Sequence, residues 1–125
     1  MASRKRTGEK ILVAEDEKDF RLYLYDVLSD VFDVSCVGSG IELYALLSTC
    51  HNMYDCVLTD LVMPNWSGEE GIEMAQLFGH KVPVVFMSGL VDGKPESIEC
   101  DFIAKPFNRD ELYKVIRKAL AKRKR

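Results

Sequence analysis

The chain has 125 residues, of which 47% are hydrophobic and 30% charged, with a formal net charge of −3. That length bounds one domain with interior enough to need no disulfide or metal staple, and the mild acidity gives no reason to expect nucleic acid as a partner. No apolar run approaches the ~20 residues that span a bilayer, and none of signal-peptide length precedes Glu15, so a cytoplasmic protein without a membrane partner is expected.

Residues 1–9 are polar and basic and read as a flexible lead-in. Ile11-Leu12-Val13-Ala14 is a continuous apolar run that stops on Glu15-Asp16-Glu17. From Asp19 a helical period begins, with Phe20, Leu24, Val27, Leu28 and Val31 on one face. Phe32 to Val37 is a more polar strand, suited to a sheet edge. Ser39 with Glu42 fits a capping box and opens a helix carrying Leu43, Leu46 and Leu47. Cys56-Val57-Leu58-Thr59-Asp60 is a buried strand that ends on an aspartate, and Pro64 with Asn65-Trp66-Ser67-Gly68 is turn chemistry. Ser67 with Glu70 repeats the capping pattern and starts a helix through Ile72, Ala75 and Phe78 to about Gly79. Val82 to Met87 is a fourth strand, ending on Ser88-Gly89. Phe102-Ile103-Ala104 is a fifth, ending on Lys105-Pro106. Asn108 and Glu111 cap a last helix with Leu112, Val115, Ile116 and Ala119 inward, and residues 122–125 are a basic tail.

The strands begin at Ile11, Val34, Val57, Val82 and Phe102, spacings of 20 to 25 residues that each hold one strand and one helix. This is β-α alternation, hence a parallel sheet with right-handed crossovers and helices on both faces. The last interval is short and contains Gly93 and Pro95, so the helix there is at most a turn or two.

In such a sheet the strand ends share one edge, where ligands gather. Four of the five ends carry a polar group: Glu15 and Asp16, Asp60, Ser88, and Lys105. Strands that merely stop on polar residues would show a random mixture. Three acids, a small hydroxyl and a lysine instead suit a phosphorylated carboxylate. Clustered carboxylates repel unless a cation neutralises them, and a hard oxygen-preferring ion, Mg²⁺ or Mn²⁺, is the natural occupant. Asp60 is then the nucleophile. Lys105 and Ser88 would hold the phosphoryl oxygens, helped by backbone N–H groups near Val62 and Gly89.

These residues resemble the receiver domain of two-component response regulators from about Lys10 to Leu120. The resemblance is carried by Ile11 to Glu17, Asp60 with Met63-Pro64 and Gly68, Ser88-Gly89, and Lys105-Pro106-Phe107, in order. It implies a flavodoxin-like fold, as in the CheY-like receivers: a doubly wound five-stranded parallel sheet in the order 2-1-3-4-5, here with a short or irregular fourth helix, over residues 10–121. It implies that Asp60 accepts a phosphoryl group from a phosphohistidine of a sensor histidine kinase or a histidine phosphotransfer protein. Asp16, Asp60 and the Val62 carbonyl would ligate Mg²⁺ directly, and Glu15 through water. The Lys105-Pro106 bond would be cis, and Phe102 would be a switch aromatic that turns inward as Ser88 moves. Phe86-Met87-Ser88-Gly89-Leu90 is similar to receivers attached to hybrid sensor kinases.

Several departures qualify what the resemblance implies. The short fourth segment puts a standard dimer on that face in doubt, and phosphorylation is expected to order it. Val62 and Leu90 are apolar where a hydrolytic water would pass, so a long-lived phospho-aspartate is expected. Met63 and Trp66 are expected at a partner surface, with Trp66 exposed. A haloacid-dehalogenase-like phosphatase would put its nucleophile on the first strand with an acid two residues later. Here that position is Val62, so no turnover enzyme is expected. Cys36, Cys50, Cys56 and Cys100 lack the paired spacing of a zinc site and read as small apolar side chains. The terminal basic runs read as solvated ends.

Overall fold

Five apolar runs become strands in the computed structural model, which describes residues 6–50, 53–89 and 98–123. They are β1 (Lys10–Ala14), β2 (Asp33–Val37), β3 (Cys56–Asp60), β4 (Val84–Ser88) and β5 (Asp101–Ala104). All pair in parallel, in the order β2-β1-β3-β4-β5, the order that the resemblance implied. β3 and β4 are buried along their whole length, while β2, at the edge, has only exposed and half-buried residues. β4 begins at Val84 rather than Val82, because Pro83 has no N–H to give to a ladder. Its carbonyl still accepts the Val57 N–H at 2.9 Å.

Four helices are described: α1 (Lys18–Ser29), α2 (Gly40–Thr49), α3 (Gly68–Leu77) and α4 (Arg109–Leu120). The short helix expected between β4 and β5 falls on residues 90–97, outside the described residues, as do Leu90 and the ordering expected of that segment. α1 and α4 cover one face of the sheet, with Leu24, Leu28, Leu112, Ile116 and Ala119 packed on Ile11, Val13, Leu58 and Val85. α2 and α3 cover the other, with Leu43, Leu47, Ile72 and Ala75 against Leu12, Ala14, Val57 and Phe86. Burying each of the valine, leucine, isoleucine and phenylalanine side chains stabilises the fold by about 1.5–3 kcal/mol relative to exposure. The alternation of strand side chains explains why Ile11 and Leu12, adjacent in sequence, belong to different cores.

Two faces differ from expectation. Phe78 is not part of the α3 core face: the helix stops at Leu77, Phe78 is the C-cap, and Gly79 at φ 83° turns the chain away. Tyr113, which the apolar period omits, is buried on α4 and its hydroxyl donates to the Val27 carbonyl at 2.5 Å, tying α4 to α1. A phenol buried with its one polar atom satisfied behaves as a core residue.

Candidate functional site

The first loop is locked onto the sheet by its own backbone. The Glu15 N–H donates to the Val37 carbonyl at 3.0 Å, one step past the end of β1. Its carboxylate, 1% exposed as a residue, accepts the Glu17 N–H at 3.0 Å. Glu17 in turn N-caps α1, accepting from Phe20 N at 2.7 Å and Asp19 N at 3.2 Å. Arg21, one turn into α1, reaches back and donates to the carbonyls of Glu15 at 2.8 Å and Asp16 at 3.4 Å. Asp60 is the last residue of β3 and is 9% exposed. The loop and the strand end therefore converge: one carboxylate oxygen each from Glu15, Asp16 and Asp60 lie within 4.8 Å of one another.

Lys105 enters from the end of β5, where its N–H donates to the Ser88 carbonyl at 2.9 Å. Its ammonium donates to Asp60 Oδ2 at 2.8 Å and to Glu15 Oε1 at 3.5 Å. The same Nζ stands 4.8 Å from the centre of the Phe20 ring, a cation–π contact from α1. The Lys105-Pro106 peptide is cis, as the resemblance implied. Burial pushes the Glu15 carboxyl above its ordinary range and Asp60 adds to this; the Glu17 N–H and Lys105 pull the other way without cancelling it. Burial pushes the Lys105 ammonium down, but its hydrogen bond to Asp60 and the charges of Asp60 and Glu15 outweigh that and hold it above the ordinary value. An acid that resists ionising beside a base that resists losing its proton marks a pocket with an excess of negative charge.

The other expected site residues are placed unevenly around this cluster. Ser88 is buried at the end of β4, the strand hydrogen-bonded to that of Asp60. The Val62 N–H donates to Asp60 Oδ1 at 3.4 Å, while its side chain is 64% exposed. Phe102 is half-buried in the α2–α3 core and registers with Phe86, two positions short of Ser88. Met63 is buried in that core, so it is not part of a partner surface. Trp66 is half-buried, its ring 5.7 Å from that of Tyr44.

Three glycines and one aromatic matter more than their residue types suggested. A Cβ on Gly68 would sit 2.1 Å from the Asp60 carbonyl oxygen, one on Gly40 would sit 2.3 Å from that of Trp66, and one on Gly71 would sit 2.6 Å from that of Gly40. The loop after Asp60 is thus pressed between the starts of α2 and α3, where only glycine fits. Asn65 and Trp66 adopt left-handed φ of 54° and 73°, and their carbonyls accept the N–H groups of Ile41 at 3.1 Å and Gly40 at 3.0 Å. Those contacts, with Ser39 Oγ accepting Glu42 N–H at 3.2 Å, satisfy the first N–H groups of α2. Phe20 was legible as a helix-face residue, but no local pattern announces a ring beneath a lysine 85 positions later.

A family model described as the response regulator receiver domain matches residues 11–117. The transcriptional regulatory protein CiaR of Streptococcus pneumoniae is 33% identical over 119 residues, covering 91% of this chain and 52% of CiaR. The transcription factor SKN7 of Candida albicans is 30% identical over 115 residues, covering 88% of this chain and 20% of SKN7. The chain therefore spans about half of CiaR and a fifth of SKN7. Among solved structures, the receiver domain of Francisella response regulator 1452 superposes with a TM-score of 0.78 at 26% identity, covering 91% of this chain and 98% of that one. The receiver domain of the Pseudomonas aeruginosa sensor histidine kinase PA1611, solved with a magnesium ion in its active-site cleft, shares the fold with a TM-score of 0.79 at 21% identity, covering 92% and 99%. With a sheet of the expected order, an acidic pocket at its C-terminal edge and a family match over most of its length, this chain belongs to the response regulator receiver domains of two-component signalling.

Proposed function

We propose that this receiver takes a phosphoryl group from a phosphohistidine onto Asp60 and thereby changes an interaction surface. The observation that carries the reading is the convergence of three carboxylates within 4.8 Å, with the Lys105 ammonium 2.8 Å from the one at the end of β3. An Asp60 oxygen forms the new O–P bond while the N–P bond to the donor imidazole breaks, its electron pair leaving on the ring nitrogen. Lys105 exchanges its contact with Asp60 Oδ2 for a phosphoryl oxygen, and the Val62 N–H is a second donor beside the same carboxylate. The crowded oxygen donors suit a hard divalent ion: Asp16, Asp60 and the Val62 carbonyl would hold Mg²⁺, with Glu15 acting through water. Bound there, the ion would offset the charge shared by the acids and the incoming phosphoryl group. Ser88 and Phe102 are the groups proposed to move afterwards. The partner is a sensor histidine kinase or a histidine phosphotransfer protein in the cytoplasm, and the chain turns over no external substrate.

The test is direct. After incubation with acetyl phosphate and Mg²⁺, intact mass spectrometry should show one added phosphoryl group on the wild type and none on Asp60→Asn. Equal labelling of both proteins, or none on either, would refute the reading.

A further inference from the structure

Two carboxylates alone hold the Lys105 ammonium poorly through a change of partner. The lysine stem is a flexible four-carbon chain, and this side chain is 27% exposed, so solvent is open to it. Its bond to Asp60 must open before a phosphoryl oxygen can take that place, and the contact with Glu15, at 3.5 Å, stands at the long limit of a hydrogen bond. What the ammonium keeps through the exchange is the ring of Phe20, 4.8 Å from Nζ. The attraction of a cation to a ring face has no single acceptor atom, so it persists while the ammonium turns from one oxygen to the next.

The ring itself is held in place. Phe20 lies in the first turn of α1, where its N–H donates to the N-cap Glu17 at 2.7 Å. Its ring packs on Phe107, two residues past the lysine, with centres 5.9 Å apart and planes tilted by 57°, and stacks with Tyr23 at 6.0 Å. The next residue, Arg21, donates to the carbonyls of Glu15 and Asp16. One turn of helix thus grips both sides of the pocket, the acidic loop through Arg21 and the ammonium through Phe20. Phe20 is also half-buried at the edge of the α1–α4 core, an apolar contact that leucine makes as well. Only an aromatic face adds the negative potential that attracts an ammonium.

We propose that Phe20 is a positioning residue for phosphoryl transfer: its ring face keeps the Lys105 ammonium over the pocket as it passes from Asp60 to the incoming phosphoryl oxygen. This role rests on the acceptor role of Asp60 and adds to it a group that touches neither the acceptor nor the phosphoryl donor.

The probe is acetyl phosphate with Mg²⁺. An Asp60 oxygen forms the O–P bond as the bond from phosphorus to the acetyl oxygen breaks, its electron pair leaving on acetate. Intact mass followed over time gives the rate of labelling. Phe20→Leu should slow it about three- to ten-fold, the scale of one partly screened cation–π contact, and Phe20→Tyr should keep it within about two-fold of the wild type. Phenylalanine bearing one, two and then three ring fluorines at position 20 keeps the shape while draining the face of negative charge, so the rate should fall in steps. In a Lys105→Met background, slower already, adding Phe20→Leu should slow labelling no further, because the ring then has no cation to hold. A flat fluorine series, or an undiminished Phe20→Leu loss in that background, would overturn the proposal and leave Phe20 a packing residue alone. A wild type that takes no phosphoryl group removes the acceptor role of Asp60 and this one with it, whereas equal rates for wild type and Phe20→Leu remove this one alone.

Discussion

At the residue scale, the decisive group is a lysine whose surroundings pull in opposite directions. Burial alone would favour the neutral amine, but Asp60, Glu15 and the Phe20 ring all favour the ammonium, which therefore stays charged where it meets the acids. Val62 shows the opposite economy. Its N–H contacts Asp60, yet its side chain is aliphatic and exposed beside the carboxylate and can orient no water. On the acceptor role proposed for Asp60, a phosphoryl group there should be long-lived. Val62→Asn or Val62→Glu should speed phosphate release at least several-fold, because a polar group can then position the attacking water. Release kinetics of the phosphorylated proteins decide it, and a slower variant would contradict the assignment.

At the scale of elements, capping was readable and close approach was not. Ser67 with Glu70 and Asn108 with Glu111 form the complete reciprocal boxes expected from their spacing. Ser39 with Glu42 forms only half of one: the Glu42 carboxylate takes the Gly38 N–H at 2.6 Å instead, and the loop of Asn65 and Trp66 supplies the remaining acceptors. That loop approaches because Gly40 and Gly71 let α2 and α3 touch through their backbones. Gly71→Ala should cost about 1–3 kcal/mol, the usual penalty for overpacking, since its Cβ meets a carbonyl rather than a flexible side-chain tip. Gly89→Ala, with nothing within 4 Å of the new Cβ, is the control and should change the urea midpoint little. The ends of two other elements are tied by Arg123, which donates to Glu9 at 2.6 Å. Burial tends to raise the Glu9 carboxyl, but the hydrogen bond and charge of Arg123 win and hold it below its ordinary 4.5. A depressed carboxyl contributes stability above that value and loses it as pH falls through the folded one. Glu9→Gln should therefore lower stability at neutral pH by at most about 1 kcal/mol, the scale of a solvent-screened pair, with the difference vanishing in acid. Urea melts of both proteins across that range provide the measurement.

At the scale of the whole molecule, binding at the sheet edge should be felt everywhere, because the acids that repel one another come from two strands of one cooperative core. If Mg²⁺ is held by Asp16 and Asp60, it stabilises the folded chain by about 2.7 kcal/mol at a hundredfold excess over Kd. The melting temperature should rise with added Mg²⁺ in the wild type and rise much less in Asp16→Asn; an equal rise in both would remove Asp16 from the site. Among the described residues, no helix is long and apolar enough to cross a membrane.

Apolar runs of strand length, helical periods between them and polar strand ends are local patterns, so the sequence alone determined the alternation, a parallel sheet and the acids and lysine worth watching, while the strand order was implied by the family resemblance. Phe78 left its expected core face and Tyr113 joined one the apolar period had omitted it from, because a helix's last turn and a satisfied hydroxyl are decided by what lies opposite. Tertiary structure alone decided how closely Glu15, Asp16, Asp60 and Lys105 meet, that Phe20 lies beneath the lysine, and that Gly40, Gly68 and Gly71 carry the loop after Asp60. Those are distances between residues remote along the chain, and only the register of five strands and the packing of helices on them brings such residues together.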